Sequence, residues 1–172
     1  MSVFLRAVLG IAFSMVAAQA TAFEFKGFPI GESQEAFLQL HHWKCTPVKP
    51  QHGPYDEICL PDSFPDKTYM GKPTQLRAYV LDGRVVSIEV DPWRVYFNEI
   101  VAALTEKYGP PTLDTSIPDR RRAKWKDAQG NSISLLEKLV GENGFLTITS
   151  AYGADEIARR RAAMEAAKKR DM

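Results

Sequence analysis

Residues 76–90 constrain the fold most tightly. Leu76, Ala78 and Val80 alternate with Arg77, Tyr79 and Leu81, and Val86, Ile88 and Val90 alternate with Val85, Ser87 and Glu89. A period of two predicts β-strands with one apolar face. Asp82-Gly83 stands between the two runs. A two-residue type I′ turn needs positive φ at both central positions, which aspartate tolerates and glycine adopts freely, so the pair predicts an antiparallel hairpin. Such a hairpin belongs to an antiparallel sheet, and the apolar face of that sheet has to be covered.

The rest of the chain offers the covering helices and further strands. Ser33 is placed to cap a short helix over residues 34–42, with Glu35 in its first turn and Phe37, Leu38 and Leu40 among its apolar positions; Trp43 follows. Asp91-Pro92 predicts the start of a second helix, aspartate as cap and proline at the first position. Phe97, Ile100, Val101, Leu104 and Tyr108 then form one helical stripe, which Gly109 and Pro110-Pro111 terminate. Short strands are expected at 23–28, 55–60 and 68–70, and longer ones at 122–127, 132–140 and 145–150. Gln129-Gly130-Asn131 and the glycine-flanked 141–144 segment supply turns. Alanine-rich sequence from Ala154 to Arg170 reads as a closing helix. The expected class is α+β: an antiparallel sheet with helices packed on one face, arranged as two tandem α-β-β-β units, plus a C-terminal helix. The repeat is one of element order, without a residue-by-residue match between the halves.

The N-terminus carries a different signal. Arg6 is the sole charge before Glu24, and residues 7–18 are almost continuously apolar, ending in Ala18-Gln19-Ala20. A basic start, a short apolar run and small residues two apart predict a secretory signal peptide over residues 1–20, cleaved near Ala20. A membrane anchor needs ~20 predominantly apolar residues, more than this run supplies. The region has no cysteine for a lipid anchor. The expected division is therefore a signal peptide at 1–20, a single α+β domain at 21–152 and a basic helix at 153–172, in a periplasmic protein. Loss of Arg6 takes the formal charge from +1 to 0. That balance argues against a general nucleic-acid binder.

Export decides how Cys45 and Cys59 are read. In an oxidising compartment an even pair at short spacing favours a disulfide. Its loop of about fifteen residues is worth ~3 kcal/mol in the chain-entropy model. Pro47, Pro50, Gly53 and Pro54 lie within it. The competing reading is a metal site drawn from His41, His42, Cys45, His52 and Cys59.

Catalytic motifs are missing. There is no G-x-S-x-G, H-E-x-x-H or G-x-G-x-x-G sequence and no glycine-lysine phosphate loop. All three histidines fall between 41 and 52. Asp56 and Glu57, adjacent on a strand, face opposite ways. The main functional lead is Arg120-Arg121-Arg122-Ala123-Lys124-Trp125-Lys126. On a strand, Arg122, Lys124 and Lys126 make one positive face, suited to an acidic protein patch or anionic polymer, while Trp125 points to the core. The same stripe would also protect an edge strand from aggregation. Arg159-Arg160-Arg161 and Lys168-Lys169-Arg170 add a second basic cluster on the terminal helix. With Ile157 and Met164 as its main large apolar residues, that helix suits docking or partner binding better than membrane insertion.

Phe25-Lys26-Gly27-Phe28-Pro29-Ile30-Gly31-Glu32-Ser33, the Cys45 and Cys59 pair, Asp82-Gly83-Arg84-Val85 and Lys107-Tyr108-Gly109-Pro110-Pro111 together resemble a set of small exported proteobacterial proteins of unassigned activity. The pattern is more distantly similar to the small lipoprotein of the outer-membrane β-barrel assembly machinery and to β-lactamase inhibitor protein. The chain departs from the first in lacking a lipid-anchor cysteine and from the second in lacking a second disulfide. The resemblance implies an exported α+β fold and protein binding, with no binding residues carried over. The sequence thus predicts a non-enzymatic periplasmic binding module for an envelope protein or polymer, without a cofactor or bound metal. The alternative is an envelope hydrolase or metal-binding protein using the segment from His41 to Cys59.

Overall fold

A computed structural model describes residues 22–63, 67–92, 97–114, 120–137 and 145–170. The expected signal peptide, its cleavage site and the 141–144 turn lie outside them. The central hairpin forms as expected. β6 (Lys72–Leu81) and β7 (Arg84–Pro92) pair antiparallel, and Asp82 and Gly83 take φ of 49° and 69°. One detail differs. A bulge between Tyr79 and Val80 puts Val80 opposite Val85 and Tyr79 opposite Ser87. The extra residue turns Val85 into the main core and Val86 to the opposite face.

β7 also runs on through Asp91-Pro92, which pair with Gln75 and Thr74. The helix start expected there is therefore strand, since proline is tolerated at a strand end. The second helix, α2, is Phe97–Tyr108 and buries Phe97, Ile100 and Leu104. The first, α1, is Gln34–Leu40, shorter than expected. Ser33 Oγ accepts from Ala36 N–H as its cap, while His41 already has extended backbone at φ −129°.

Around the hairpin stand β3 (Trp43–Pro47), β4 (Glu57–Pro61), β5 (Thr68–Tyr69), β8 (Thr112–Asp114), β9 (Arg122–Lys126), β10 (Ser132–Leu136) and β11 (Leu146–Thr149). β3 and β8 were not expected. The sheet order is β3-β4-β6-β7-β11-β10-β9-β8, with β5 paired to β6 and, among the described residues, every pairing antiparallel. The fold is α+β. The second half is a helix followed by a four-strand meander, and the first has the same plan with β5 added between β4 and β6, against three strands in each expected α-β-β-β unit. The last strands of the two halves, β7 and β11, pair at the centre.

α1 and α2 share one face of this sheet. Phe37, Phe97, Ile100 and Leu104 join Leu76, Ala78, Ile88, Val90, Trp125, Ile133, Leu135, Leu146 and Ile148 in a single buried cluster. A small hairpin of β1 (Glu24–Phe25) and β2 (Phe28–Pro29) bridges the two helices, turning at Lys26 and Gly27 with φ of 48° and 82°. Phe28 meets Phe37 of α1, and Phe23 meets Tyr108 of α2. The closing helix α3 (Ala151–Arg170) packs on the other face, where Ile157 joins Leu81 and Val86.

Candidate functional site

The parity of the strands fixes what the second face presents. Ala78, Ile88, Ile133, Leu135, Ala123 and Trp125 point to the main core, so their strand neighbours point away from it. Across β11, β10 and β9 the neighbours are Thr147, Ser132, Ser134, Arg122, Lys124 and Lys126. In register, Thr147 lies opposite Glu89 and Ser134, Ser132 opposite Lys126, Ser134 opposite Lys124, and Leu136 opposite Arg122. Ser132, Ser134 and Thr147 are half-exposed, and Lys124 and Lys126 are exposed. The result is a platform of hydroxyls ending in lysines, with α3 at one end.

The three cations expected to share a face do share it, but the edge strand β8 partly neutralises them. Asp114 lies 3.1 Å from Lys124 Nζ and 4.0 Å from Arg122 Nη1. Lys126, whose stem passes Gly130, makes no ion pair among the described residues. Trp125 is buried as expected and donates to the Gly109 carbonyl at 2.9 Å. Arg121, which precedes the strand, is engaged elsewhere: it pairs with Glu137 at 2.6 Å and stacks over Phe97.

The segment from His41 to Cys59 does not assemble a site. Cys45 and Cys59 are directly opposite across β3 and β4, their sulfurs bonded to each other. His41 is buried among the rings of Phe25, Phe37 and Trp43, while His42 and His52 are exposed. Among the described residues no group of three or more His, Cys, Asp or Glu side chains is arranged to hold a metal ion.

A polar network on the far end escaped the sequence reading. Arg160 of α3 pairs with Asp56 at 2.6 Å, Asp82 at 2.9 Å and Glu156 at 2.7 Å, and reaches the Pro54 carbonyl. Tyr152 donates to Asp82. The hydrogen bonds from Arg159 and Arg160 hold the Glu156 carboxyl at about 2. For Asp56, burial pushes upward, but the Arg160 contact and the Asp82 N–H outweigh it and leave the carboxyl below its ordinary value. Beside this network Tyr55 stacks on Tyr79 at 4.3 Å. Burial, then the neighbouring Glu89 carboxylate, raises the Tyr79 phenol to about 12, so it stays protonated across the physiological range. The spacing of Asp56, Asp82 and Arg160 in the chain gave no signal of this meeting, because topology alone joins them.

No helix among the described residues is long and apolar enough to cross a membrane. Comparison with known families, curated proteins and solved structures gives no match for this chain. The likeness to exported proteins therefore rests on the motifs themselves.

Proposed function

We propose that the protein is a non-enzymatic periplasmic binding module that presents the open sheet face to an envelope protein or polymer. The observation that carries this reading is the asymmetry of the sheet. One face is closed by α1, α2 and the β1–β2 hairpin, while the other keeps half-exposed Ser132, Ser134 and Thr147 bordered by Lys124 and Lys126. Hydroxyl rows with a cationic border suit hydrogen bonding to a polar, anionic surface. The Cys45 and Cys59 bond is the kind of staple an oxidising compartment maintains, which supports export. The apolar N-terminal run supports the same assignment through a signal peptide.

The rival reading, a hydrolase or metal protein built on the segment from His41 to Cys59, gains nothing from the geometry, because the cysteines bind each other and His41 sits in an aromatic cluster. The test is capture from envelope extract with the native protein and with Lys124→Glu/Lys126→Glu. Specific partners lost on charge reversal support the binding face. Identical captures, or robust turnover in a hydrolase screen abolished by one polar substitution, overturn the proposal. Stoichiometric zinc in the oxidised, purified protein would favour the rival.

A further inference from the structure

Most polar groups on the open face are satisfied by a neighbour. Ser87 and Thr149 share a hydrogen bond at 3.2 Å, Lys124 pairs with Asp114 at 3.1 Å, and Arg77 pairs with Glu89 at 2.6 Å. Four groups are not. Among the described residues the hydroxyls of Ser132, Ser134 and Thr147 make no hydrogen bond, and Lys126 makes no ion pair. The register joins these four into one patch. Lys126 is directly opposite Ser132, and Ser134 is directly opposite Thr147. Ser132 and Ser134 are two residues apart on β10 and so share its face. The three hydroxyl residues are half-exposed and Lys126 is exposed.

The patch has fixed borders. Lys124 stands opposite Ser134 and Glu89 opposite Thr147, and Arg77 is the next partner beyond Glu89. The row from Lys124 to Arg77 thus crosses five strands, a span of about 19 Å at ~4.8 Å per gap. α3 closes the side of Val86, where Ser87 is buried. The unpartnered groups define what this surface can recognise. Hydroxyls both donate and accept, so three of them at strand spacing match a ligand that is itself rich in hydroxyls. One unpaired ammonium matches an occasional carboxylate. A dense polyanion draws its affinity from many phosphate contacts, each with its own cation. A protein interface draws its energy from aromatic and apolar anchors. Among the described residues no exposed large apolar side chain stands on β7, β9, β10 or β11.

We infer that this patch binds a polysaccharide carrying sparse carboxylates, laid across the strands. The inference rests on the proposed role of the open face as a binding surface and names its occupant. Sugar hydroxyls exchange hydrogen bonds with Ser132, Ser134 and Thr147, and a carboxylate meets Lys126. At either end of the row the Lys124–Asp114 and Arg77–Glu89 pairs offer both donors and acceptors to the next sugars without leaving a charge to be neutralised. A pyranose repeat is close in length to the strand spacing, so successive sugars fall on successive strands. Thr147, β-branched and stiff at χ1, loses little freedom when it binds.

Titration calorimetry of the oxidised protein tests it with two probes, hyaluronan oligosaccharides and lightly carboxymethylated cello-oligosaccharides. Methyl esters of both, polyglutamate and polyphosphate serve as comparators. At least one acidic saccharide is expected to bind, and more tightly than its ester. Ser132→Ala/Ser134→Ala/Thr147→Val should lose at least about tenfold in affinity, as the removal of several hydrogen bonds implies. Lys126→Gln should bind acid and ester alike. Circular dichroism checks that each variant is folded, and Ser134→Ala alone replaces the triple change if it is not. No saccharide binding, binding indifferent to loss of the hydroxyls, or tighter binding of polyglutamate or polyphosphate overturns the inference. An envelope protein captured through Lys124 and Lys126, with no saccharide bound, overturns this inference alone. Failure of both capture and saccharide binding overturns the binding role of the face as well.

Discussion

Gly153 and Val86 touch more closely than any side chain at position 153 would allow. A Cβ there would lie 2.6 Å from Val86 Cβ and 2.9 Å from the Val86 carbonyl oxygen. In an exposed helix interior, alanine would stabilise by ~1 kcal/mol over glycine. Here the clash dominates, because overpacking costs about 1–3 kcal/mol and the obstacle includes backbone. Gly153→Ala is therefore expected to destabilise the protein by about 1–2 kcal/mol in urea titration. A gain in stability would show that α3 does not sit on Val86.

The staple between Cys45 and Cys59 ties the edge strand β3 to β4, and its loop holds only a 3-10 turn at Pro50–His52. Cys45→Ser/Cys59→Ser, or reduction of the native protein, should lower stability by ~3 kcal/mol. Guanidinium titration with and without reductant measures it. Equal midpoints would mean that the bond contributes nothing to the folded state.

Acid should loosen α3. Glu156 is held at about 2, against an ordinary value of 4.5, and Asp56 is also depressed. A carboxylate with a lowered folded-state value stabilises fully above its unfolded value, and that contribution is lost as pH falls through the folded one. For Glu156 the window lies between about 4.5 and about 2. Thermal melts followed by circular dichroism should lose stability across it, and Arg160→Ala should make the loss shallower. Identical pH profiles for the two proteins would remove Arg160 from the account.

Asp127 organises a turn from both sides. It accepts from the Gln129 and Asn131 backbone N–H groups, from the Asn131 side chain and from Phe23 N–H. Asp127→Ala leaves several donors without their acceptor, at a cost of about 1–3 kcal/mol. Chemical denaturation reads the loss, and a neutral result would assign the turn to Gly130 alone.

Local chemistry carried most of the fold into the sequence. Asp82-Gly83 and its flanking alternation specify the hairpin because turn geometry and pleat are decided within a few residues, and Ser33 specifies the α1 start for the same reason. The errors fall where pairing overrides local preference. Asp91-Pro92 looks like a helix start but is recruited as strand by Gln75 and Thr74. The Trp43–Pro47 segment alternates for only four residues before a proline, too short a run to read as a strand, yet pairing with β4 makes it one. Of the candidate site, the shared face of Arg122, Lys124 and Lys126 was legible from strand parity. Their partial neutralisation by Asp114 was not, because β8 follows a Pro-Pro pair and is only three residues long. The meeting of Arg160 with Asp56 and Asp82 needed the three-dimensional path of α3.

The pairing of β7 with β11 also sets an order of events. Ile88 pairs with Ala78 inside the first half, but its other side is covered only when Ile148 arrives. Until residues 146–149 are delivered, β7 has an unpaired hydrogen-bonding edge, and such edges recruit other chains. Contacts of this sequence separation also slow folding. A chain ending before Leu146 would present that edge of β7 to other chains, and is expected to aggregate more readily than the full protein.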